Sequence, residues 1–393
     1  MYHAHERAAL ANELADGFLT APWNADTVAE SGAGCLDRWP SWMEALALRV
    51  VAVYRTPPVD RRHDLVDLIE SFLAEHSAWA GESDPPRILR LLVDERAARA
   101  GYAQARLEHD WPIAEIDSVA SLAERLELSD GQLAWLADAR SLERNVIDGK
   151  LRNYRYRAVP RRSGLPRVLE APKARLKEIQ RWMLHEILDH VATHEAAQGF
   201  TRGRSVVTHA RLHTGQAAVL RLDLTDFFAS VSAGRVFGIF RTLGYNPPVA
   251  HVLTGLGTNT VPQTVWRDVP RVTDLRLVQP RFWLGRRLAT PHLPQGAPTS
   301  PALANLAAFR LDRRLAGLAT SMELRYSRYA DDLTFSGPAQ LRRRRSRFED
   351  LVAEIARDEG FAVNGDKSAL HAAGGRQSVC GVVVNVRPNV LRT

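Results

Sequence analysis

Two adjacent carboxylates, Asp331 and Asp332, are the residues of this chain best suited to carry chemistry. They stand between two short runs of strand-forming residues, 324–329 and 333–335. This pattern predicts a β-hairpin with the acids at its tip. Neighbouring carboxylates repel each other, so a fold that crowds them usually supplies a counter-charge, most often a divalent cation with oxygen ligands. A solvated turn that carries two Asp by chance is the alternative.

A third carboxylate favours the metal interpretation. Residues 219–228 (VLRLDLTDFF) contain an apolar run that predicts a strand ending near Asp223. Two Mg²⁺ ions a few ångströms apart require carboxylates from more than one strand. We therefore predict that Asp223, Asp331 and Asp332 are catalytic and hold two Mg²⁺ ions. Asp226 is a weaker candidate, which we expect to cap the following helix.

The chain resembles a reverse transcriptase (RNA-directed DNA polymerase) of the bacterial retron type. Matching segments run in the family's order through most of residues 113–390. They are 154–173, 177–191, 198–205, 208–213, 223–228, 293–301, 329–332, 364–367 and 379–385. Any one match could arise by chance, but their order and spacing could hardly do so. The chain departs from the family pattern at His209, where Asn is usual, and at Cys380, which replaces Thr.

The resemblance implies an α+β fold with the fingers and palm of a right-hand polymerase. The predicted organisation is an acidic helical N-terminal extension (1–110), a helical lead-in (111–150), fingers (151–217) and a palm (218–393) with a surface insertion at about 255–292. In the N-terminal extension, apolar residues at helical spacing predict helices over 39–54 and 64–75. The family continues into a helical thumb, so we expect the thumb to be missing here, the chain being a fragment or a separate polypeptide supplying the grip.

The resemblance also places residues that contact the incoming nucleotide. Phe228, five residues after Asp223, stands where a side chain excludes the ribose 2′-hydroxyl; a bulky apolar ring there favours deoxynucleotides. A Phe of the core is the alternative. Gln295 and Gly296 precede a predicted helix from Ser300. Gly would let the backbone approach the nucleotide, and Gln could hydrogen-bond near the base.

Three cationic side chains are predicted to contact phosphate groups. Arg167 and Lys173 are candidate triphosphate ligands, because guanidinium and ammonium groups stabilise a transferring phosphoryl group. Lys367 is a candidate charge or proton donor to the leaving pyrophosphate. For each of them an ordinary surface cation is the alternative.

Two further patterns have ordinary explanations that we favour. The arginine run at 342–347 falls on a predicted helix, and charge runs of this kind usually face water rather than nucleic acid. His209 and His213 have the helical spacing of a zinc site, but no Glu lies between them and no further ligand is nearby in the sequence.

Composition limits the class of protein. The net charge is +7, but residues 1–110 carry 11 Arg and no Lys against 18 acids, whereas the remainder carries 41 basic and 27 acidic residues. The basic body implies a polyanionic partner and salt-sensitive binding.

No segment approaches the roughly 20 apolar residues of a membrane span, the N-terminus lacks a signal-peptide pattern, and two Cys are too few for a disulfide framework. We therefore predict a cytoplasmic protein without a membrane partner.

Together these features predict an enzyme of the retron type. By the resemblance it copies a structured non-coding RNA, which serves as template and primer, into single-stranded DNA from dNTPs. The resemblance also implies antiphage defence, in which an effector protein is a further partner. An abortive-infection or group II intron-like reverse transcriptase is the alternative enzyme, and an RNA-binding scaffold without catalysis is the alternative of another class.

Overall fold

The computed structural model describes residues 4–19, 21, 23–36, 38–58, 62–75, 111–139, 141–144, 146, 148–161 and 164–390. Contacts divide the chain into two compact units. The first unit is Met1–His190 with Val231–Ser300, and the second unit is Val191–Ser230 with Pro301–Thr393. Helices and antiparallel strands occur together in both, so the predicted mixed α+β class is confirmed.

The first unit begins with helices that share a core of their own. They are α1 (Ala4–Leu19), α2 (Ala25–Ala33), α3 (Met43–Val53) and α4 (Arg62–Glu75). Helix α1 packs on α2 and α4, and the shared core includes the buried side chains of Phe18, Trp42 and Ile69. The helices predicted over 39–54 and 64–75 are confirmed as α3 and α4, while residues 76–110 of the predicted extension lie outside the described residues.

Short capped helices and a hairpin follow. The elements are α5 (Val119–Arg125), α6 (Asp130–Leu136), β1 (Tyr154–Val159), β2 (Arg167–Pro172), α7 (Ala174–Glu186) and a 3₁₀ turn (Leu188–His190). Helix α6 begins at Asp130, directly after its cap Ser129, because Ser129 and Gln132 form a reciprocal capping box. Strands β1 and β2 pair antiparallel and form a two-stranded sheet.

The second unit contributes α8 (Val206–Leu212) and β3 (Ala218–Leu224) before the chain returns to the first unit. There it forms α9 (Ala233–Thr242), α10 (Pro247–Gly257), α11 (Gln263–Asp268), a 3₁₀ turn (Leu275–Leu277) and α12 (Val278–Leu288). The segment predicted as an insertion is therefore largely helical. Residues 255–262 at its start are buried, whereas much of 263–287 is exposed.

The remaining elements complete the second unit. They are α13 (Ser300–Ala307), α14 (Phe309–Ser321), β4 (Arg325–Tyr329), β5 (Asp332–Gly337), α15 (Gln340–Arg343), α16 (Arg345–Asp358), β6 (Val363–Ala372), β7 (Ser378–Val379), β8 (Val382–Val383) and β9 (Asn389–Val390). Helix α13 begins at Ser300, as the sequence predicts. Arg342, Arg343 and Arg347 are exposed, as expected for a solvated helix flank.

The main sheet of the second unit has the antiparallel order β4-β5-β3-β6. Strand β3 is internal, and its Leu220, Leu222 and Leu224 alternate to a buried face. Phe335 on β5 contacts Phe348 of α16 edge-to-face, with ring centroids 4.9 Å apart. Helices α14 and α16 lie against the face of the sheet that carries Tyr326 and Phe335, whereas α8 lies against the opposite face at Ser327 and Thr334. None of the described helices has the length and apolar character of a membrane span.

A buried polar network in the first unit joins β2 to the segments around Asn259 and His292. The Glu170 carboxylate accepts hydrogen bonds from Asn259 Nδ2 at 2.7 Å and from His292 Nε2 at 2.9 Å. His292 Nδ1 lies 2.7 Å from the Thr290 carbonyl, so both ring nitrogens face acceptors. Burial lowers the pKa of His292, but the charge and hydrogen bond of Glu170 outweigh it, and the net pKa is raised. Two acceptors at the ring nitrogens and the raised pKa both favour the protonated imidazole.

Candidate active site

The predicted hairpin is present and carries the two acids at its tip. Strands β4 and β5 pair with Tyr329 opposite Asp332, which leaves Ala330 and Asp331 as the two turn residues. Ala330 adopts a positive φ of 55°, the left-handed region that such tight turns require. The first acid therefore lies in the turn and the second begins the outgoing strand.

Strand β3 brings the third acid to the same place. Asp223 is the register partner of Asp332 on β5 and of Asn364 on β6. The backbone N–H of Leu224 donates to the Asp331 carbonyl at 2.8 Å, which ties the hairpin turn to the end of β3. Directly opposed residues in an antiparallel pair have Cβ atoms about 5 Å apart. The register therefore gathers the three predicted acids at one edge of the sheet.

Two cations share this edge with the carboxylates. Lys367 Nζ on β6 donates to both oxygens of Asp223, at 2.9 and 2.8 Å. Arg221 lies two residues before Asp223, on the same face of β3, and its Nη2 donates to both oxygens of Asp332 at 3.1 and 3.0 Å. Burial raises the pKa of the Asp331 carboxyl, and the negative charges of Asp223 and Asp332 raise it further. Three carboxylates against two cations leave one negative charge uncompensated at this edge when all five groups are ionised.

The donor set suits a hard divalent cation, since such ions take carboxylate oxygens. In their present conformations, no three His, Cys, Asp or Glu side chains among the described residues are arranged to hold a metal ion. Asp223 and Asp332 point instead at Lys367 and Arg221. To coordinate a metal, both carboxylates would have to turn from these pairs.

A glycine beside the hairpin allows a close backbone approach. A Cβ on Gly199 would lie 2.7 Å from the backbone nitrogen of Ala330, closer than real contacts permit. The N–H of Gln198 donates to the Arg328 carbonyl at 2.7 Å, and the N–H of Arg328 donates to the Ala196 carbonyl at 2.8 Å. The Gln-Gly-Phe segment identified in the sequence therefore supports β4 and the turn.

A fully buried ion pair also fixes the turn, and the sequence analysis did not identify it. Arg328 and Asp312 are both 0% exposed, and the guanidinium donates to the carboxylate at 2.6 Å from Nη2 and 2.8 Å from Nε. Arg328 Nη1 reaches Asn305 Oδ1 and the Ala330 carbonyl, each at 3.0 Å. The guanidinium thus connects α14 to the carbonyl before Asp331.

His209 and His213 belong to a second buried network behind the hairpin. His213 bonds the hydroxyls of Ser336 at 2.7 Å and Ser327 at 2.8 Å, and His209 Nδ1 lies 2.8 Å from the same Ser327 hydroxyl. Burial lowers the pKa of His209 to about 4, assisted by Arg221, and that of His213 to about 3. Both rings are neutral hydrogen-bonding groups that join α8 to β4 and β5.

These lowered pKa values predict a loss of stability in mild acid. Below the unfolded-state pKa of about 6.5, both imidazoles become protonated in the unfolded chain but stay neutral in the folded protein. The free energy of unfolding therefore falls as the pH is lowered. At pH 5 the loss is about 2 kcal/mol for each histidine. Urea unfolding between about pH 7 and pH 5 measures it.

His213→Gln is expected to flatten this pH dependence, because Gln has no proton to gain. His185→Gln is the matched control, since the His185 side chain is 65% exposed on α7. An equally steep pH dependence in His213→Gln and in the parent would contradict the assignment.

Cys380 shows how the chain accommodates its departure from the family's Thr. Its Sγ lies 3.6 Å from Asp332 Oδ2, within reach of a weak hydrogen bond. Burial, followed by the charge of Asp332, raises the pKa of the thiol to about 12, so it stays protonated and donates. A thiol in this position can therefore do what a hydroxyl would do.

Phe228 lies in the second unit, in the turns that follow β3, and it is half-buried. Its ring packs on Phe227 at 5.6 Å and on Phe200 at 6.3 Å between centroids. The helix after these turns begins at Ala233 with Ser232 as its cap, so the expectation that Asp226 caps it is wrong. Asp226 instead adopts a positive φ of 49° within the turns.

The other predicted nucleotide contacts lie in the first unit. The Gln295 carbonyl accepts from the Glu170 N–H at 2.9 Å, so the Pro-Gln-Gly segment runs beside β2. Gly296 has a φ of 133°, and a Cβ there would lie 3.1 Å from the Glu170 carbonyl. Lys173 Nζ donates to the carbonyls of Gly149 and Lys150 at 2.9 and 2.8 Å. Arg167 begins β2, and its Nε is buried with no hydrogen-bond partner.

Comparison with known proteins gives one family match and several relatives. The family model described as reverse transcriptase (RNA-dependent DNA polymerase) matches residues 159–381. Retron Mx65 reverse transcriptase of Myxococcus xanthus is 42% identical over 75% of this chain and 62% of its own length. Retron Mx162 reverse transcriptase of the same organism is 38% identical over 70% and 54%, respectively. Retron Ec86 reverse transcriptase of Escherichia coli is 34% identical over 56% and 58%.

The chain spans between 54% and 62% of the length of these three curated relatives. The family match covers Asp223, Asp331 and Asp332 together with the segments that support them. The resemblance seen in the sequence is thus confirmed. Since the family match extends over more than half of the chain, this protein belongs to the reverse transcriptase (RNA-dependent DNA polymerase) family, and the relatives it matches are reverse transcriptases of retrons.

Proposed function

We propose that this protein is an RNA-directed DNA polymerase of the retron type. The observation that carries the proposal is the pairing of Asp223 with Asp332 across β3 and β5, with Asp331 in the adjoining turn. A structural role alone does not explain three crowded carboxylates at one sheet edge, because their mutual repulsion costs stability. In the proposed right-hand arrangement, the sheet of the second unit belongs to the palm, and β1 and β2 belong to the fingers.

The three carboxylates would hold two Mg²⁺ ions. When bound, these ions would lower the pKa of the primer 3′-hydroxyl and stabilise the leaving pyrophosphate during in-line displacement. The protein's part is to keep the carboxylates in place through the β3–β5 register and the buried Arg328. Lys367 would leave Asp223 when the metal enters, and it could then donate charge or a proton to the pyrophosphate.

For the remaining nucleotide contacts we propose roles that follow from their chemistry. Phe228 would exclude a ribose 2′-hydroxyl, because the ring offers that group no hydrogen bond. Arg167 and Lys173 would bind triphosphate oxygens, although Lys173 would first have to release two backbone carbonyls. Gln295 would contact the base, and Gly296 would let the backbone approach it.

We propose a structured non-coding RNA as template and primer, single-stranded DNA as product and dNTPs as substrates. Support comes from the retron relatives and from the basic remainder beyond residue 110, with 41 basic and 27 acidic residues. Participation in antiphage defence, with an effector protein as partner, follows from the retron resemblance alone. Purification of the native protein and sequencing of its bound nucleic acid would identify the RNA.

Primer extension tests the activity. The full chain, a DNA primer annealed to an RNA template, dNTPs and Mg²⁺ are expected to yield extended DNA, and EDTA is expected to stop the reaction because the ions are removed. With NTPs the parent is expected to stall, whereas Phe228→Ala should incorporate them. Tight RNA binding without extension of any primer, even when a thumb-bearing polypeptide is added, would favour the non-catalytic scaffold instead. Extension without any preference for a retron-type structured RNA would favour an abortive-infection or intron-like enzyme.

A further inference from the structure

The exposed part of the insertion carries aromatic and arginine side chains to which the proposed function assigns no role. Phe282 is 57% exposed and Trp283 45% exposed, on the outer side of α12. Residues 263–288 carry six Arg and two Asp, and one of these acids, Asp274, is already paired with Arg276 at 2.7 Å. Large exposed rings on a cationic surface usually mark a binding site.

We propose that this surface, defined by Phe282, Trp283 and Arg286, binds a single-stranded segment of RNA. The proposal rests on the proposed function, because it concerns how the RNA partner is held. Bases would stack on the exposed rings, and arginine would contact phosphate. The following contacts support it.

The helix beneath the surface is firmly held. Leu284 and Leu288 of α12 are buried, which fixes the inner side of the helix. Trp266 of α11 lies against Gly285, where a Cβ would come within 2.7 Å of the indole Nε1. Arg281 stacks on Trp266 at 4.6 Å and donates to the Val269 carbonyl at 3.0 Å. These inner contacts use Trp266 and Arg281, so the outer rings are displayed on a rigid support.

The two exposed rings and Arg286 hold one another in a fixed arrangement. Phe282 and Trp283 meet edge-to-face, with centroids 5.4 Å apart and planes at 72°. The Arg286 guanidinium lies 5.2 Å from the Trp283 ring and 5.9 Å from the Phe282 ring. Two neighbouring rings with a cation beside them match the repeating base and phosphate of a nucleic-acid strand.

Charge and ring exposure decide between partner classes. Aromatic residues and Arg are also enriched in protein-binding surfaces, so the contact of Arg286 with the Trp283 ring does not separate the two partner classes, and the charge of the whole segment must do so. The excess of Arg over Asp in 263–288 favours a polyanion. A duplex offers little to exposed rings because its bases already stack on one another, whereas an unpaired loop can splay its bases onto aromatic side chains. The surface therefore fits single-stranded RNA.

Equilibrium binding of fluorescent RNA to the full chain tests the proposal. The probe is oligouridine of about 16 nucleotides, and an RNA duplex of equal length is compared. Phe282→Ala with Trp283→Ala is expected to raise the Kd for the oligouridine roughly fivefold or more, because stacked bases are lost. Arg286→Gln is expected to weaken binding and to reduce the salt slope by about 1. Trp39→Ala is the matched control, since Trp39 is 51% exposed in the acidic extension.

Each outcome bears on the proposal. A Kd for oligouridine that is unchanged in both the ring variant and Arg286→Gln would overturn it and would leave a protein partner as the explanation of the exposed rings. Equal weakening of duplex binding and single-strand binding in the ring variant would also overturn it, because base stacking would then not be responsible. Binding is measured without dNTPs or Mg²⁺, so a failure of polymerisation would not affect the result. Should the ring variant not fold, as judged by thermal unfolding, Arg286→Gln alone decides.

Discussion

Primer extension should fall at least about a thousandfold when Asp331 and Asp332 are both replaced by Asn. Asn preserves the shape of each side chain but removes the negative charge that would hold the metal ions. The proposed mechanism has no other carboxylate to take over, since Asp223 alone cannot hold two ions. The reaction rate with Mg²⁺ and dNTPs on an RNA template measures the effect.

The fold should survive this change. Burial and the neighbouring acids raise the pKa of Asp331, which shows that its charge is unfavourable where it lies. Asp331→Asn is therefore expected to leave the melting temperature unchanged or to raise it slightly, since the repulsion is relieved. Asp350→Asn on the exposed side of α16 is the control for a surface carboxylate. DNA synthesis by the double variant at the parent rate would refute the two-metal mechanism.

The largest effect on stability is expected from Arg328→Met, a loss of about 3–5 kcal/mol in the free energy of unfolding. The change leaves the Asp312 carboxylate buried without its counter-charge. The free-energy cost of removing this carboxylate from water is then no longer offset by an ion pair. It also removes the donors to Asn305 and to the Ala330 carbonyl. Urea unfolding of the parent and variant measures the loss.

Arg325→Met provides a matched control on the same strand. Arg325 is exposed, and its guanidinium donates to the Leu212 carbonyl at 3.1 Å, so its replacement should change stability by about 0.5 kcal/mol or less. Adding Asp312→Leu to Arg328→Met should recover part of the stability, because no uncompensated charge remains in the core. Equal losses for Arg325→Met and Arg328→Met would show that the buried pair is not what stabilises the hairpin.

Arg328→Met should also slow primer extension at temperatures where the variant is folded. The guanidinium holds the carbonyl of Ala330, the residue immediately before Asp331 in the turn. Without it the turn can adopt other conformations, and small displacements of catalytic groups are costly. This connection between core and turn makes Arg328 a positioning residue.

Local sequence patterns predicted much of the candidate site. Strand formers on either side of Asp331 and Asp332 predicted the hairpin, and the apolar run before Asp223 predicted β3. Ser129 and Asp130 offered an N-cap for α6, and the structure has Ser129 as that cap. These features depend on neighbouring residues, through side-chain alternation, turn geometry and helix capping, so they are legible in a single chain.

The resemblance added what local patterns could not supply. It indicated which segments accompany Asp223 and the hairpin, and the family match spans residues 159–381. It did not predict the function of Arg221 or Arg328. Both are arginines in strands, and in a chain with 48 Arg no composition signal separates them from surface cations.

Tertiary structure alone decided which polar groups meet in the interior. Asp312 lies 16 residues from Arg328, Ser327 lies 114 residues from His213, and His292 lies 122 residues from Glu170. Strand register and helix packing choose these partners, because a buried charge or ring nitrogen must find a partner wherever the fold brings one. The sequence by itself determined the acidic hairpin and the strand that meets it. The pairing of Asp223 with Lys367 and of Asp332 with Arg221 arose only when four strands aligned at one edge, since contact across a sheet depends on register rather than on proximity along the chain.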